Sequence, residues 1–175
     1  MIKEVKLSKL DLRFQSYRMK HSVLEGRLLD SIAQQGILEP LEGAEAQEGS
    51  VLLNGFKRYR CARKLAIEMA PYSSLGPDSA SGIIGLLTAS TPRGLSILEQ
   101  AGFVEELNKS QMLSVGQIAQ ELGRSKSWVS MRLGLFTEMS PKVRQKLLEG
   151  SFLSLLVYVP FASVHAYERG GQGAD

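Results

Sequence analysis

The residues best placed to do chemistry lie within 114–136, SVGQIAQELGRSKSWVSMRLGLF, where hydroxyls and cations cluster around one glycine. Ser114 with Gln117 three residues on reads as a capping box that starts a first helix. Ile118 and Leu122 stand four apart on one face, and Ala119 beside them is small enough to let a partner helix approach. Gly123 can adopt the positive φ of a sharp turn, and Arg124-Ser125 leads into a second helix with Ser125 as its N-cap. In that helix Val129 and Leu133 face inward, which leaves Lys126, Ser127, Trp128, Ser130 and Arg132 outward. Short polar and cationic side chains on the first turns of such a helix suit phosphates and base edges in the major groove. The expectation is a helix-turn-helix that binds double-stranded DNA sequence-specifically. Its contact set is Ser114, Gln117, Arg124, Ser125, Lys126, Ser127, Trp128, Ser130 and Arg132. Lys126 is expected on phosphate and Arg132 on phosphate or a guanine edge, in which case Arg132→Ala would weaken binding by about 1–3 kcal/mol. Trp128 either touches DNA or packs on the preceding helix.

A second group is Asn54-Gly55-Phe56-Lys57-Arg58, which follows an apolar run and opens a helix. It places backbone N–H groups and two cations where an anion would sit at a helix N-terminus. Charge is distributed to match. Residues 56–65 carry Lys57, Arg58, Arg60, Arg63 and Lys64 without an acid. Residues 109–146 carry Lys109, Arg124, Lys126, Arg132, Lys142, Arg144 and Lys146 against Glu121 and Glu138. The overall charge of +3 says less than this patterning, which is the footprint of a surface that meets phosphates.

Other chemistries are excluded or unsupported. The single cysteine, Cys61, rules out an internal disulfide framework and reads as a buried small apolar residue. His21 and His165 stand alone, with no cysteine and histidine cluster for zinc. The N-terminus lacks a signal-peptide apolar region and no apolar run approaches a spanning helix, so the expected compartment is the cytoplasm, with no membrane partner.

The elements that must position these groups follow from periodicity. Residues 2–7 and 51–53 read as strands, and 22–35 as a helix with Leu24, Leu28 and Ile32 on one face and Gly36 as its stop. Residues 44–50 read as a polar loop, 54–55 as a turn opening a helix through Met69, 71–81 as a turn-rich connector and 82–89, GIIGLLTA, as a strand. From Leu95 the pattern is helical, through 95–108, the two helices above, and a short helix over 141–149 that begins at Ser140-Pro141 and stops at Gly150. The 43% of apolar residues is enough for a conventional core. The expected class is α+β, with a small α/β domain over 1–93, an all-helical helix-turn-helix domain over 94–161 and a disordered tail over 162–175.

Three stretches, SIAQQGILEP at 31–40, NGFKRYRCARKL at 54–65 and the whole of 114–136, together resemble the ParB/Spo0J/KorB partition family, whose N-terminal fold is shared with sulfiredoxin. SPKVRQKLLEGSFLS at 140–154 is similar to the helix that follows the family's helix-turn-helix. The resemblance implies a function in plasmid or chromosome partition or in transcriptional regulation. It also implies a homodimer, a partition ATPase or other regulatory partner, and, in many members, a CTP site with magnesium that switches a DNA-loaded clamp. On the family's pattern Gly55 and Arg58 would meet the nucleotide phosphates, with Phe56 and Lys57 between them and Arg93 as the arginine of a second motif. That second motif departs from the pattern: LTASTPRG at 87–94 has no acid and no asparagine, so a magnesium-holding carboxylate is missing and hydrolysis is not expected. The alternative reading is an enzyme of the same fold, a CTPase switch or a ParB-like nuclease or kinase. Sulfiredoxin-like chemistry is not expected, because Lys57 stands where the cysteine would be. The family's C-terminal dimerisation domain has no room after residue 154, so the chain is expected to be a naturally short or a truncated member.

Overall fold

The structure is a computed structural model that describes residues 2–47, 49–89 and 94–150. It is α+β. Five strands form one mixed sheet in the order β1-β5-β3-β4-β2, where β1 is Ile2–Lys6, β2 Leu10–Asp11, β3 Leu41–Ala46, β4 Gly49–Asn54 and β5 Met69–Gly76. β1 runs antiparallel to β5 with Ile2 opposite Ser73, β3 runs parallel to β5, β3 and β4 make an antiparallel hairpin, and β2 runs parallel to β4. The helices are α1 (Ser22–Gln35), α2 (Phe56–Lys64), α3 (Ser79–Thr88), α4 (Ile97–Lys109), α5 (Val115–Leu122), α6 (Lys126–Glu138) and α7 (Pro141–Leu148). Two 3₁₀ turns, Leu7–Lys9 and Arg13–Tyr17, carry the chain from β1 past β2 toward α1.

Four readings of the sequence are corrected here. The polar stretch 44–50 is no loop: Ala44, Glu45 and Ala46 pair with Val51, Ser50 and Gly49, and its polarity reflects the exposed end of a hairpin where Glu45 meets Lys3. The helix opened at Gly55 stops at Lys64, because Ala66 takes a φ of 55° and turns the chain into β5, which begins at Met69. The connector 71–81 is for the most part β5, a strand paired on both sides, with Ala70 and Tyr72 fully buried. The apolar run 82–89 is helical. Asp78 caps α3 by accepting from the Ser81 N–H, and Gly82, Ile83, Leu86 and Leu87 form its buried face. Close packing explains the glycines in that run: a Cβ on Gly82 would stand 2.6 Å from the Cβ of Ala44 and 2.8 Å from Leu53 Cδ1.

The main core is continuous from the sheet into the later helices. Leu7, Phe14, Leu41, Val51, Leu53, Phe56, Tyr72, Ile83 and Leu86 share one buried cluster with Phe103, Val104, Leu107, Ile118, Leu122 and Val129. A smaller cluster of Leu98, Ala101, Phe136, Leu147 and Leu148 lies beside it. Tyr17 joins the two, with its ring 5.8 Å from Phe103 and 6.5 Å from Phe136. Among the described residues no helix is long and apolar enough to cross a membrane. The expected tail at 162–175 and the stretch 151–161 of the expected helical domain lie outside the described residues.

Candidate nucleic-acid interface

α5 begins where the capping box places it. Ser114 Oγ accepts from Gln117 N at 3.3 Å, and Gln117 Oε1 accepts from Ser114 N at 2.9 Å. It ends at Gly123, whose φ of 59° is the left-handed turn that a side chain would strain. Arg124 N donates back to Ala119 O at 2.9 Å, and Ser125 Oγ then caps α6 by accepting from Trp128 N at 3.1 Å. Ile118, Ala119, Leu122 and Val129 are buried at the crossing, so α6 is held by α5 and α4 along one side only.

The expected contact residues divide into two sets. Ser114, Gln117, Arg124, Ser125, Lys126, Ser127 and Ser130 are exposed. Among the described residues Arg124 and Lys126 form no ion pair, although the Arg124 guanidinium lies 5.6 Å from the Trp128 ring centroid. Trp128 and Arg132 are half-buried and turned toward the protein. The Arg132 guanidinium stands 3.7 Å over the Trp128 ring, and Nε and Nη2 donate to Gln100 Oε1 of α4 at 3.3 and 3.1 Å. Burial, and then the neighbouring Arg124 charge, disfavour its charged form. Arg132 therefore holds α6 to α4, and Trp128 packs against the core as well as under Arg132. The sequence carries no sign of Gln100 as a partner. Of the other bases in this stretch, Lys109 pairs with Glu105, and Arg144 donates to Phe136 O at 3.0 Å while lying over its ring.

The glycine-arginine group forms a second site. Gly55 is the N-cap of α2 with a φ of 95°, and Asn54 Oδ1 accepts from its N–H at 2.9 Å. Phe56 is a core residue, so its side chain cannot meet a ligand. Arg58 Nη1 donates to the carbonyls of Glu39 and Pro40 at 2.9 and 2.8 Å and to the Glu39 carboxylate at 3.2 Å. Its guanidinium folds back over Gly55, where a Cβ would stand 3.4 Å from Nε. Lys57 is half-buried, and Arg93 lies outside the described residues.

Arg60, from the basic run of α2, and Arg18, which the sequence did not single out, join Arg58 here. Arg18 Nη2 donates to Asn54 Oδ1 at 3.0 Å, and Nε pairs with Glu99 at 3.3 Å. Arg60 pairs with Glu25. Desolvation dominates at Arg18 and disfavours its charged form, the Glu99 charge opposes that, and Arg58 and Arg60 add repulsion. Among the described residues, Nη1 of Arg18 and Nη1 of Arg60 are buried without a hydrogen-bond partner. Such orphaned donors are costly, and an anion satisfies them. The nearby carboxylates are engaged: Glu42 accepts from Asn54 Nδ2 at 2.8 Å, and Glu99 also accepts from Met19 N and Ser96 N. Among the described residues no group of His, Cys, Asp and Glu side chains could hold a metal ion. The buried, partnerless guanidinium nitrogens fit an anion.

Over 156 residues the chain is 29% identical to Stage 0 sporulation protein J of Bacillus subtilis (strain 168), a match that covers 86% of this chain and 54% of that relative. Over 140 residues it is 24% identical to the Probable chromosome-partitioning protein ParB of Coxiella burnetii (strain RSA 493 / Nine Mile phase I), covering 79% of this chain and 48% of that one. The chain spans about half the length of these curated relatives. The solved structure of the C-terminally truncated chromosome-partitioning protein ParB from Caulobacter crescentus complexed with CTP-gamma-S is similar at 21% identity and a TM-score of 0.44, over 90% of this chain and 89% of that one. No family model matches the chain.

Proposed function

We propose that this ParB-like chain binds double-stranded DNA sequence-specifically, with α5 and α6 acting as a helix-turn-helix in partition or transcriptional regulation. The observation that carries this reading is the capped pair α5 and α6, joined at Gly123 and presenting exposed Arg124 and Lys126, without an ion pair among the described residues, beside Ser127 and Ser130. Helix-turn-helix proteins gain affinity by placing two copies on paired half-sites, so the proposed form on DNA is a homodimer in the cytoplasm, at the nucleoid or on a plasmid. The proposed domain division remains 1–93 and 94–161, with the two halves sharing one core.

The test is duplex selection from a random pool, followed by affinity against salt. Each phosphate contact adds about 0.9 to the slope of log affinity against log salt. Arg124→Ala and Lys126→Ala should each lower that slope by about 1 and weaken all sequences alike. A wild-type protein with no salt-dependent affinity for any duplex removes the reading.

The orphaned guanidinium atoms of Arg18 and Arg60 favour a second activity at the N-terminus of α2. Arg18, Arg58 and Arg60 would hold the phosphates of a nucleotide such as CTP, which would supply acceptors for the two buried guanidinium nitrogens. Arg58 would first have to leave the carbonyls of Glu39 and Pro40. The enzyme alternative, a CTPase switch, nuclease or kinase, rests on the same cluster. Calorimetry with CTP, ATP and ADP, each with and without magnesium, tests both. Heat with CTP supports modulation, turnover supports the enzyme, and no heat with any nucleotide removes both.

A further inference from the structure

Ser127, Ser130, Met131 and Gly134 stand at i, i+3, i+4 and i+7 on α6 and so share one stripe of that helix. Ser127 and Ser130 are exposed, Met131 is 63% exposed, and a side chain at Gly134 would meet nothing within 4 Å. The stripe therefore faces open solvent, and its one long side chain is an unbranched thioether. The cations flank it. Lys126 leans toward α5, with Cε 3.6 Å from where a Cβ on Gly116 would stand, and Arg132 is turned away to Gln100 and Trp128. The centre of the candidate reading face is apolar, with hydroxyls beside it and unpaired positive charge at its N-terminal end.

We propose that Met131 is a specificity-determining residue and that it recognises the 5-methyl group of thymine. This rests on the reading of α6 as the DNA-reading helix. In the major groove the four base pairs present donors, acceptors and small C–H edges, and a single alkyl group, that methyl. A thioether laid on a donor or acceptor would strip its water and return no hydrogen bond, whereas against the methyl it buries apolar surface. Three rotatable bonds let methionine find the methyl from a helix that lies some way above the base. Charge complementarity selects DNA as the partner, because exposed Arg124 and Lys126 stand at the N-terminal end of the helix that carries the stripe and one apolar side chain is too little for a protein groove.

The experiment takes the duplex selected by the wild-type protein and replaces each thymine in turn by deoxyuridine, which removes only the methyl. Wild type should lose about fourfold in affinity at one thymine in each half-site, the equivalent of one buried methyl group. Met131→Ala should bind the thymine and deoxyuridine forms of that position equally, and Met131→Leu should recover most of the discrimination. If Met131→Ala discriminates as wild type does, or if wild type tolerates deoxyuridine at every position, the assignment of Met131 is overturned while DNA binding stands. If no duplex is selected, DNA binding itself fails, and the assignment of Met131 with it.

Discussion

Arg132→Ala should destabilise the protein more than it alters base preference. The substitution removes a guanidinium that lies 3.7 Å over the Trp128 ring, a half-buried cation–π contact worth about 1–2 kcal/mol. It also removes the hydrogen bonds to Gln100 Oε1, which together contribute about 1 kcal/mol. Desolvation of the charge, made worse by Arg124, offsets part of this gain. The net loss should be about 2 kcal/mol. With a urea slope of about 2 kcal/mol/M, the unfolding midpoint falls by about 1 M. Trp128 is the only tryptophan, so its fluorescence follows unfolding at the site of the change. A cycle with Gln100→Ala should give a coupling of about 1 kcal/mol, because the two side chains share one contact. A midpoint that moves by less than about 0.2 M, together with a loss of discrimination at a single base pair, would refute this reasoning and make Arg132 a base reader.

Three further outcomes follow from the packing and the charges. Gly43→Ala should cost about 3 kcal/mol in chemical unfolding, since its Cβ would stand 2.0 Å from Val51 O and 2.7 Å from the Tyr72 hydroxyl, and a near-neutral variant would show the hairpin packs otherwise. The hydrogen bond from Arg60 holds the Glu25 carboxyl below its ordinary 4.5; a lowered carboxylate stabilises above its unfolded value and loses that contribution as pH falls through the folded one, so urea midpoints should drop below pH 4.5 and Glu25→Gln should flatten that part of the curve. Burial pushes the Cys61 thiol up, so an aromatic disulfide reagent at neutral pH should label it only in denaturant, and rapid labelling of the native protein would contradict its buried position.

Local stereochemistry was the legible part of the sequence. Ser114, Gln117, Gly123, Ser125 and Ser140-Pro141 act on their own neighbours, and helix ends set by such residues survive whatever the rest of the chain does. β5 was illegible because Pro71, Ser73, Ser74 and Gly76 have turn-like preferences, and only the flanking strands β1 and β3 make them a strand. Pro71 is tolerated just before pairing with β3 begins at Tyr72. α3 was misread because three β-branched residues, Ile83, Ile84 and Thr88, stand in a short apolar run, although Asp78 three before Ser81 and the spacing of Ile83, Leu86 and Leu87 carried the helical signal. At the candidate sites most side chains were legible, Arg18 excepted, and their partners were not. Nothing local links Arg132 to Gln100, or Arg18 to Asn54 and Glu99, because each contact spans more than thirty residues of chain.

The pairing of β1 with β5 also dictates a timetable during synthesis. Lys6 must wait for Met69, its partner, so the sheet cannot close until a loop on the order of 60 residues has been made, at an entropic cost whose length-dependent part is about 4 kcal/mol. At translation rates of about 5–20 residues per second, β1 spends roughly 3–12 s outside the ribosome without its partner strand. Ile2 and Val5 are exposed on an unpaired ribbon for that interval, which makes β1 of the nascent chain a ready site for a chaperone to hold or for a neighbouring chain to capture.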